Sequence, residues 1–588
     1  MFRLIFILIL VSILSAQNSD LETWYEKSGF KETPRYKETV EYCKKLDTTS
    51  PFIHFTNFGK SPQGRDLPLL IVDKNANFTS GQVRNTDNVV FFIQACIHAG
   101  ESDGKDAGLM LIRDIITNPK LLSLLDHVTL MFNPIFNVDG HERFGAYNRA
   151  NQNGPEEMGW RTTAQNLNLN RDYLKVDAPE MQNWLKLYSE WLPEFFADCH
   201  VTDGADYQYA VTYAIEKDDV IDPELGNRIG ESYLPPLKKS MADAGFPIIQ
   251  YITFRKNHDM QSGLVSWIPS PRFSNGYTAI QNRPGLLIET HMFKDYKTRV
   301  TSTYEILKNT IEILNKEYLT LKEDIAKADQ RTSSPSFRSE TLPLTYKYTN
   351  MCDTVDFLGY EYDVTKSDLT GGDWYRYHED KPKTYRLPFF HSMVPDVKVK
   401  LPEAYIIPVE WTEVIDRIKL HGIQFTTLQK EQKVKISSYK FSEVEWSKTP
   451  YENRQTVKFQ VTPVEEERIF PKGSVLIDMN QRAAKVIAGI LEPQAPDSYV
   501  QWGFFNSIFE RKEYVESYVM EERARIMLAA DPQLEEEFET KLNTDSSFVN
   551  NQRAILNWFY QKSPYWDTQK DIYPVGRIFD RDLVNRLK

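Results

Sequence analysis

Cysteine is scarce in this sequence: Cys43, Cys96, Cys199 and Cys352 are the only four in 588 residues, too few for a disulfide framework. Cys96 and Cys199 sit in apolar, strand-like runs, which predicts buried free thiols. Positive charge is also short. The 70 Lys and Arg stand against 82 Asp and Glu, a formal charge of −12. No run of five basic residues offsets it. Phosphate binding needs an excess of cations over a surface, so a nucleic-acid partner is excluded. Beyond the N-terminus no apolar stretch approaches the ~18 residues of a membrane span, which excludes stable membrane insertion. No solenoid-like repeat occurs. What is present is a globular composition, 41% hydrophobic and 13% aromatic, in a chain too long for one core, so several domains are expected.

The first sixteen residues stand apart. Arg3 is followed by a nearly unbroken apolar run from Leu4 to Leu14, then by the small residues Ser15 and Ala16. Such a run is too short to cross a bilayer and reads as a signal peptide over 1–16, predicting a secreted or periplasmic protein. From Leu67 to Leu314, apolar runs (Leu67–Val72, Val89–Ile97, His127–Phe132, Phe195–Cys199, Gly285–Ile288) alternate with helical spacings such as Ala107–Ile116. Continuous apolar strands separated by helices predict an α/β domain over 17–330, a mostly parallel mixed sheet flanked by helices. A long helix, Ser302 to about Asp329, leads to the polar, proline-bearing stretch after Arg331, taken as a boundary. Shorter alternating runs, such as Val457–Val461, predict a β-rich domain over 331–480. Helical spacing returns over 481–588, notably Tyr518–Leu542 and Asn551–Tyr560.

Four features carry chemistry, all but one at the ends of apolar strands. His98 and Glu101 follow Val89–Ile97, and His200 follows Phe195–Cys199. Two imidazoles and a carboxylate are the ligand set of a catalytic zinc with its fourth position open to water. Open α/β sheets place their sites outside the carboxyl ends of strands. Trp160-Arg161 and Asn170-Arg171 lie in a polar loop, and an arginine fork suits a carboxylate or a developing oxyanion. Glu289 ends the run Leu286-Leu-Ile. A carboxylate there is costly unless it has a partner or a task, and beside a metal-bound water the task is general base.

The ordered set His98-x-x-Glu101, Asn170-Arg171, His200 and Glu289 resembles the signature of the M14 zinc metallocarboxypeptidases. Gly59-Lys-Ser-Pro-Gln-Gly-Arg65 resembles that family's lead-in to its first long strand. Asn133-Pro-Ile-Phe-Asn-Val-Asp139-Gly140 resembles its Asn-Pro-Asp-Gly loop. The resemblance covers roughly residues 40 to 325. It implies one Zn2+ per chain held by His98, Glu101 and His200, with Glu289 as general base and acid. It also implies that Arg161 polarises the scissile carbonyl and that Asn170 and Arg171 hold the free carboxylate of a peptide C-terminus. Tyr277, shortly before Glu289, stands as the substrate-binding tyrosine. Two positions depart from the pattern: Asn168 where the family often has an aspartate behind a zinc histidine, and Gly100 where digestive members have an arginine. The competing readings are a zinc deacylase of the aspartoacylase or succinylglutamate desuccinylase type, a cell-wall peptide hydrolase, and an inactive peptidase scaffold used for binding. Side-chain preference and oligomeric state stay open.

Overall fold

The computed structural model describes residues 21–217 and 220–588; the expected signal peptide lies outside the described residues. The strands of the first half are β1 (Ile53–Lys60), β2 (Asp66–Val72), β3 (Val89–Gln94), β4 (Val128–Asn133), β5 (Phe195–Val201), β6 (Val211–Ala214), β7 (Ile249–Gln250), β8 (Thr253–Lys256), β9 (Asp259–Val265) and β10 (Gly285–Thr290). Eight of them form one sheet in the order β1-β2-β4-β3-β5-β10-β6-β7. The centre, β4-β3-β5-β10, is parallel; β2 and β6 join it antiparallel, and β1 pairs antiparallel with β2. Every residue of β3, β4, β5 and β10 is buried, because both faces are covered, and this is why these runs are apolar throughout instead of alternating.

The pleat divides the core in two. Phe91 and Ile93 of β3 face helix Asp103–Thr117 and the long helix Tyr296–Ser333. Phe92, between them, faces Trp184 of helix Pro179–Trp191. That second core runs on without a break into the C-terminal half, through Tyr405, Val486, Ile487 and Tyr499.

Strand pairings cross both expected domain boundaries. The hairpin Asp353–Lys366/Asp373–Phe390 joins β9 and β8 in a four-stranded sheet. Gly576–Ile578 pairs with Ala404–Ile407 in a six-stranded sheet otherwise built from residues 404–478. The stretch after Arg331 is docked: Arg338 is buried and its guanidinium bonds Glu403 at 2.9 Å. The helical run expected over Tyr518–Leu542 is split into Ser517–Ala530 and Pro532–Thr544. Asp531 caps the second helix and Pro532 takes its first position, which a proline can open but not continue through. Three cysteines are buried, Cys352 is exposed, and all four are free. Among the described residues no helix is long and apolar enough to cross a membrane.

Candidate functional site

The chain reverses after β3 at Cys96, held at φ 57°, a left-handed conformation that costs a non-glycine residue energy and survives only where neighbours enforce it. The enforcing neighbours are the amides of Phe136 and Asn137, which donate to the carbonyls of Ala95 and Cys96 at 3.0 and 3.1 Å. That loop is anchored in turn by Asp139, which accepts from Ser61 Oγ, the Gln63 amide and Arg65 at 2.8, 3.1 and 2.7 Å. The Gly59–Arg65 and Asn133–Gly140 motifs are thus one brace that aims His98 above the sheet.

His98, Glu101 and His200 meet at the C-terminal ends of β3 and β5, all three buried. His98 Nδ1 lies 3.1 Å from Glu101 Oε1, His200 Nδ1 lies 3.0 Å from Glu101 Oε2, and the two Nδ1 atoms are 3.2 Å apart. On the far side of each ring an oxygen accepts from Nε2–H, Asn168 Oδ1 for His98 at 3.1 Å and Asp198 Oδ2 for His200 at 3.0 Å. With Nε2–H of each ring held by its oxygen, the two Nδ1 atoms and a carboxylate oxygen face one point, where a dication would take the place of any proton on Nδ1. Ligand atoms bound at about 2.0–2.1 Å in a tetrahedral zinc site lie roughly 3.3 Å from one another, so the donor set fits a zinc ion in type, tautomer and spacing.

Charge in the site follows from burial and neighbours. Burial pushes the His98 pKa down to about 4 against the pull of Glu101. Burial works against charge on His200 as well, yet Asp198 and Glu101 hold its pKa well above the ordinary value. Burial would raise Glu101, but His98, Arg149 and His200 hold it well below the usual carboxylate range. Glu289 pairs in register with His200 across β10 and β5. Burial pushes its pKa up to about 8; His200 opposes this, while Glu101, Asp203 and Asp198 add repulsion.

Arg149 and Arg161 converge on Glu101 Oε1 at 2.8 and 3.6 Å. Arg171 lies 4.5 Å above the ring of Phe273 and donates to the Asn170 carbonyl at 2.6 Å, and Asn170 Oδ1 is buried without a partner. All of these residues line one cavity of about 1250 Å³.

Comparison with known proteins gives the same family. The zinc carboxypeptidase model matches residues 39–213, which hold every site residue named so far except Glu289, Phe273 and the expected Tyr277. The chain carries a zinc carboxypeptidase domain. "Carboxypeptidase 2" of Trichophyton rubrum is 20% identical over 490 residues, covering 80% of this chain and 84% of that protein. "Carboxypeptidase 2" of Trichophyton equinum is 21% identical over 494 residues, with 80% and 84% covered. Among solved structures, carboxypeptidase A from Helicoverpa armigera is 14% identical with a TM-score of 0.37, covering 50% of this chain and 75% of that one. A metallo-carboxypeptidase from Burkholderia cenocepacia is 15% identical with a TM-score of 0.36, covering 48% and 69%. Family match and relatives indicate a metallocarboxypeptidase enzyme, and His98, Glu101 and His200 form a cluster that could hold its metal.

One expected site residue lies elsewhere. Tyr277 is fully buried beneath the carboxypeptidase domain, among Tyr173, Trp184 and Tyr188, and its hydroxyl bonds His421 and Gln281 at 2.9 and 2.7 Å. It does not line the cavity. An aromatic on helix Ser274–Ile280 turns into the core because that whole helix is buried. The tyrosines that do line the cavity are Tyr213 and Tyr251, and the ring of Tyr251 meets Trp267 edge-on at 5.2 Å. Burial and the nearby charge of Glu289 raise its pKa well above the ordinary value. Sequence reasoning also missed Asp198 and Arg149. Asp198 was legible, two residues before His200 on the same face of a strand; Arg149 carried no signal that sets it apart from other loop arginines.

Gly100 explains itself in the structure. A Cβ there would come within 2.6 Å of Arg149 Cδ and 2.7 Å of the Gly159 carbonyl. No side chain fits, and the guanidinium beside Glu101 arrives instead from the loop.

Proposed function

We propose that the protein removes C-terminal residues from peptides by zinc-assisted hydrolysis, with one zinc ion held by His98, Glu101 and His200. The observation that carries this reading is the pair of imidazole Nδ1 atoms 3.2 Å apart, both turned to one buried carboxylate, an arrangement that a dication satisfies. Zinc bound there supplies a Lewis acid and a water acidified toward neutrality. Glu289, raised by burial and without another partner in reach of its carboxylate among the hydrogen bonds described, takes the proton of the attacking water and returns it to the leaving amine. Arg161, aided by Arg149, faces the carbonyl oxygen as it gains charge. Arg171, steadied on Phe273, and Asn170 with its unpaired Oδ1 hold the substrate's terminal carboxylate. This confines cleavage to a chain end. Export from the cell follows from the reading of residues 1–16.

The test combines elemental analysis with hydrolysis of free-C-terminus peptides and their C-terminal amides. One zinc per chain and release of single C-terminal residues, with the amides resistant, is the expected outcome. Glu289→Gln should keep its zinc and lose about 10²–10⁴ in kcat. Zinc-bound protein that cleaves the amides as fast as the free acids would overturn the C-terminal assignment.

A further inference from the structure

A second, smaller cavity of about 270 Å³ adjoins the substrate cavity and shares Trp267, Ile268, Pro269 and Met393 with it as walls. Its position relative to the chemistry is fixed through rings: Tyr251 lines the large cavity with Glu289, and Trp267 packs on Tyr251 at 5.2 Å. The rest of the lining is mostly apolar and comes largely from the C-terminal half, including Leu342, Ala495 and Pro496. One lining group is out of character. Lys485 belongs to the buried helix Ala484–Leu491, and its half-buried side chain lines this cavity.

Lys485 is short of partners. Its ammonium has three protons and donates one, to the Val220 carbonyl at 3.1 Å. Among the described residues no carboxylate is within ion-pairing distance of it. The nearest influential one, Asp222, is already committed: its Oδ1 accepts from the Glu224 amide at 3.0 Å and its Oδ2 faces Arg331 at 3.4 Å. Burial pushes the Lys485 pKa down to about 8, with Asp222 opposing, so the amine is still a cation at neutral pH. Among the described residues this partly desolvated cation, with spare donors in an apolar chamber, has no counter-ion.

We propose that this chamber receives an acidic side chain of the peptide substrate, its methylenes against the apolar walls and its carboxylate on Lys485. The assignment rests on the carboxypeptidase reading above and adds a substrate class to it: peptides with Glu near the scissile bond. The chamber is a natural extension of the cleft because the two share four walls. Its volume exceeds that of one side chain, and its single cation sets the sign of the group it takes. A site built to pair a buried charge discriminates strongly against an isostere that lacks the charge.

The experiment is kcat/KM of the zinc-loaded full chain on matched peptide pairs that differ only as Glu or Gln at the last, second-last or third-last position. At one of these positions the wild type is expected to favour Glu by about tenfold or more, mainly through KM. In Lys485→Met that ratio should fall to about one, and in Lys485→Arg it should stay above one; a merely structural role would lower both members of the pair together. Melting temperatures of the variants establish that they are folded, and the wild-type series needs no variant at all. Hydrolysis with equal Glu and Gln rates at all three positions overturns the proposal and leaves the carboxypeptidase reading standing. A Glu preference that survives in folded Lys485→Met overturns it too. If no peptide is cleaved, both readings fall.

Discussion

Each histidine of the His98–Glu101–His200 cluster is held by what it touches on its far side, and the two are held differently. His200 leans on the charged Asp198, itself fixed by Gln94 at 3.0 Å, whereas His98 leans on the neutral Asn168. The Asn168 oxygen is unambiguous, since it also accepts the Asn170 amide at 3.0 Å. A neutral acceptor sets the tautomer without adding basicity to the ligand nitrogen, and such outer contacts are commonly worth 10–100-fold in metal affinity. Asn168→Asp therefore should bind zinc more tightly, by about tenfold, and Asn168→Ala more weakly by about 10–100-fold. Competition with a chelating dye reads both directly. An unchanged affinity in both variants would mean that ligand geometry alone sets the binding.

At the scale of elements, the loop from Gly145 to Arg161 brings Arg149 and Arg161 to Glu101, and it does so by lying directly on the turn that carries His98 and Glu101. Gly100 and Gly159 are the points of contact: a Cβ on either would strike the other strand of the turn at 2.7 Å. Gly100→Ala has to push the loop backbone away, since the Gly159 carbonyl cannot rotate aside as the Arg149 side chain can. The variant should keep its zinc, lose about 1–3 kcal/mol of stability by overpacking, and fall at least about tenfold in kcat/KM, as expected when positioning groups shift by ~1 Å. Zinc content, melting temperature and peptide kinetics measured together separate this from a ligand defect; unaltered kinetics would show that the loop arginines tolerate displacement. The strands at the centre, and the meeting of His98, Glu101 and His200 at their ends, were legible in sequence because burial on both faces wrote the strands as unbroken apolar runs ending in His or Glu. Arg149, Tyr251 and the true fate of Tyr277 were not. Their roles depend on how loops and the helix Ser274–Ile280 turn in space, and neither periodicity nor spacing reports this.

Over the whole molecule, the C-terminal half is not an appendage. Asp177, six residues after Arg171, is clasped by Arg417 and Arg454 from beyond residue 400 at 2.9 and 2.5 Å. Phe389, His391 and Met393 line the substrate cavity itself. The strand pairing across residue 330, Phe389 and Phe390 alongside Leu264 and Val265, had no counterpart in the sequence because partners distant in the chain leave no local trace. Where the two halves share their core lies His421, fully buried, with Nε2–H donating to the Leu174 carbonyl at 3.0 Å and Nδ1 accepting from Tyr277 at 2.9 Å. Tyr499 approaches the same ring at 3.5 Å. Burial pushes its pKa down to about 4; the Leu174 carbonyl opposes this and Arg417 adds to it. The folded state thus holds His421 neutral while the unfolded chain, with a pKa of about 6.5, takes up a proton. Its contribution is fully present above pH 6.5 and is lost as pH falls from there through about 4, by roughly 3 kcal/mol in all. His141 and His291, buried with pKa values pushed down to about 4 and 3, add to the same trend. Urea midpoints between pH 7 and pH 4.5 should therefore fall steeply for the wild type and less steeply for His421→Gln, whose side chain occupies the junction without titrating. Equal slopes for the two proteins would show that acid opens the molecule somewhere other than this junction.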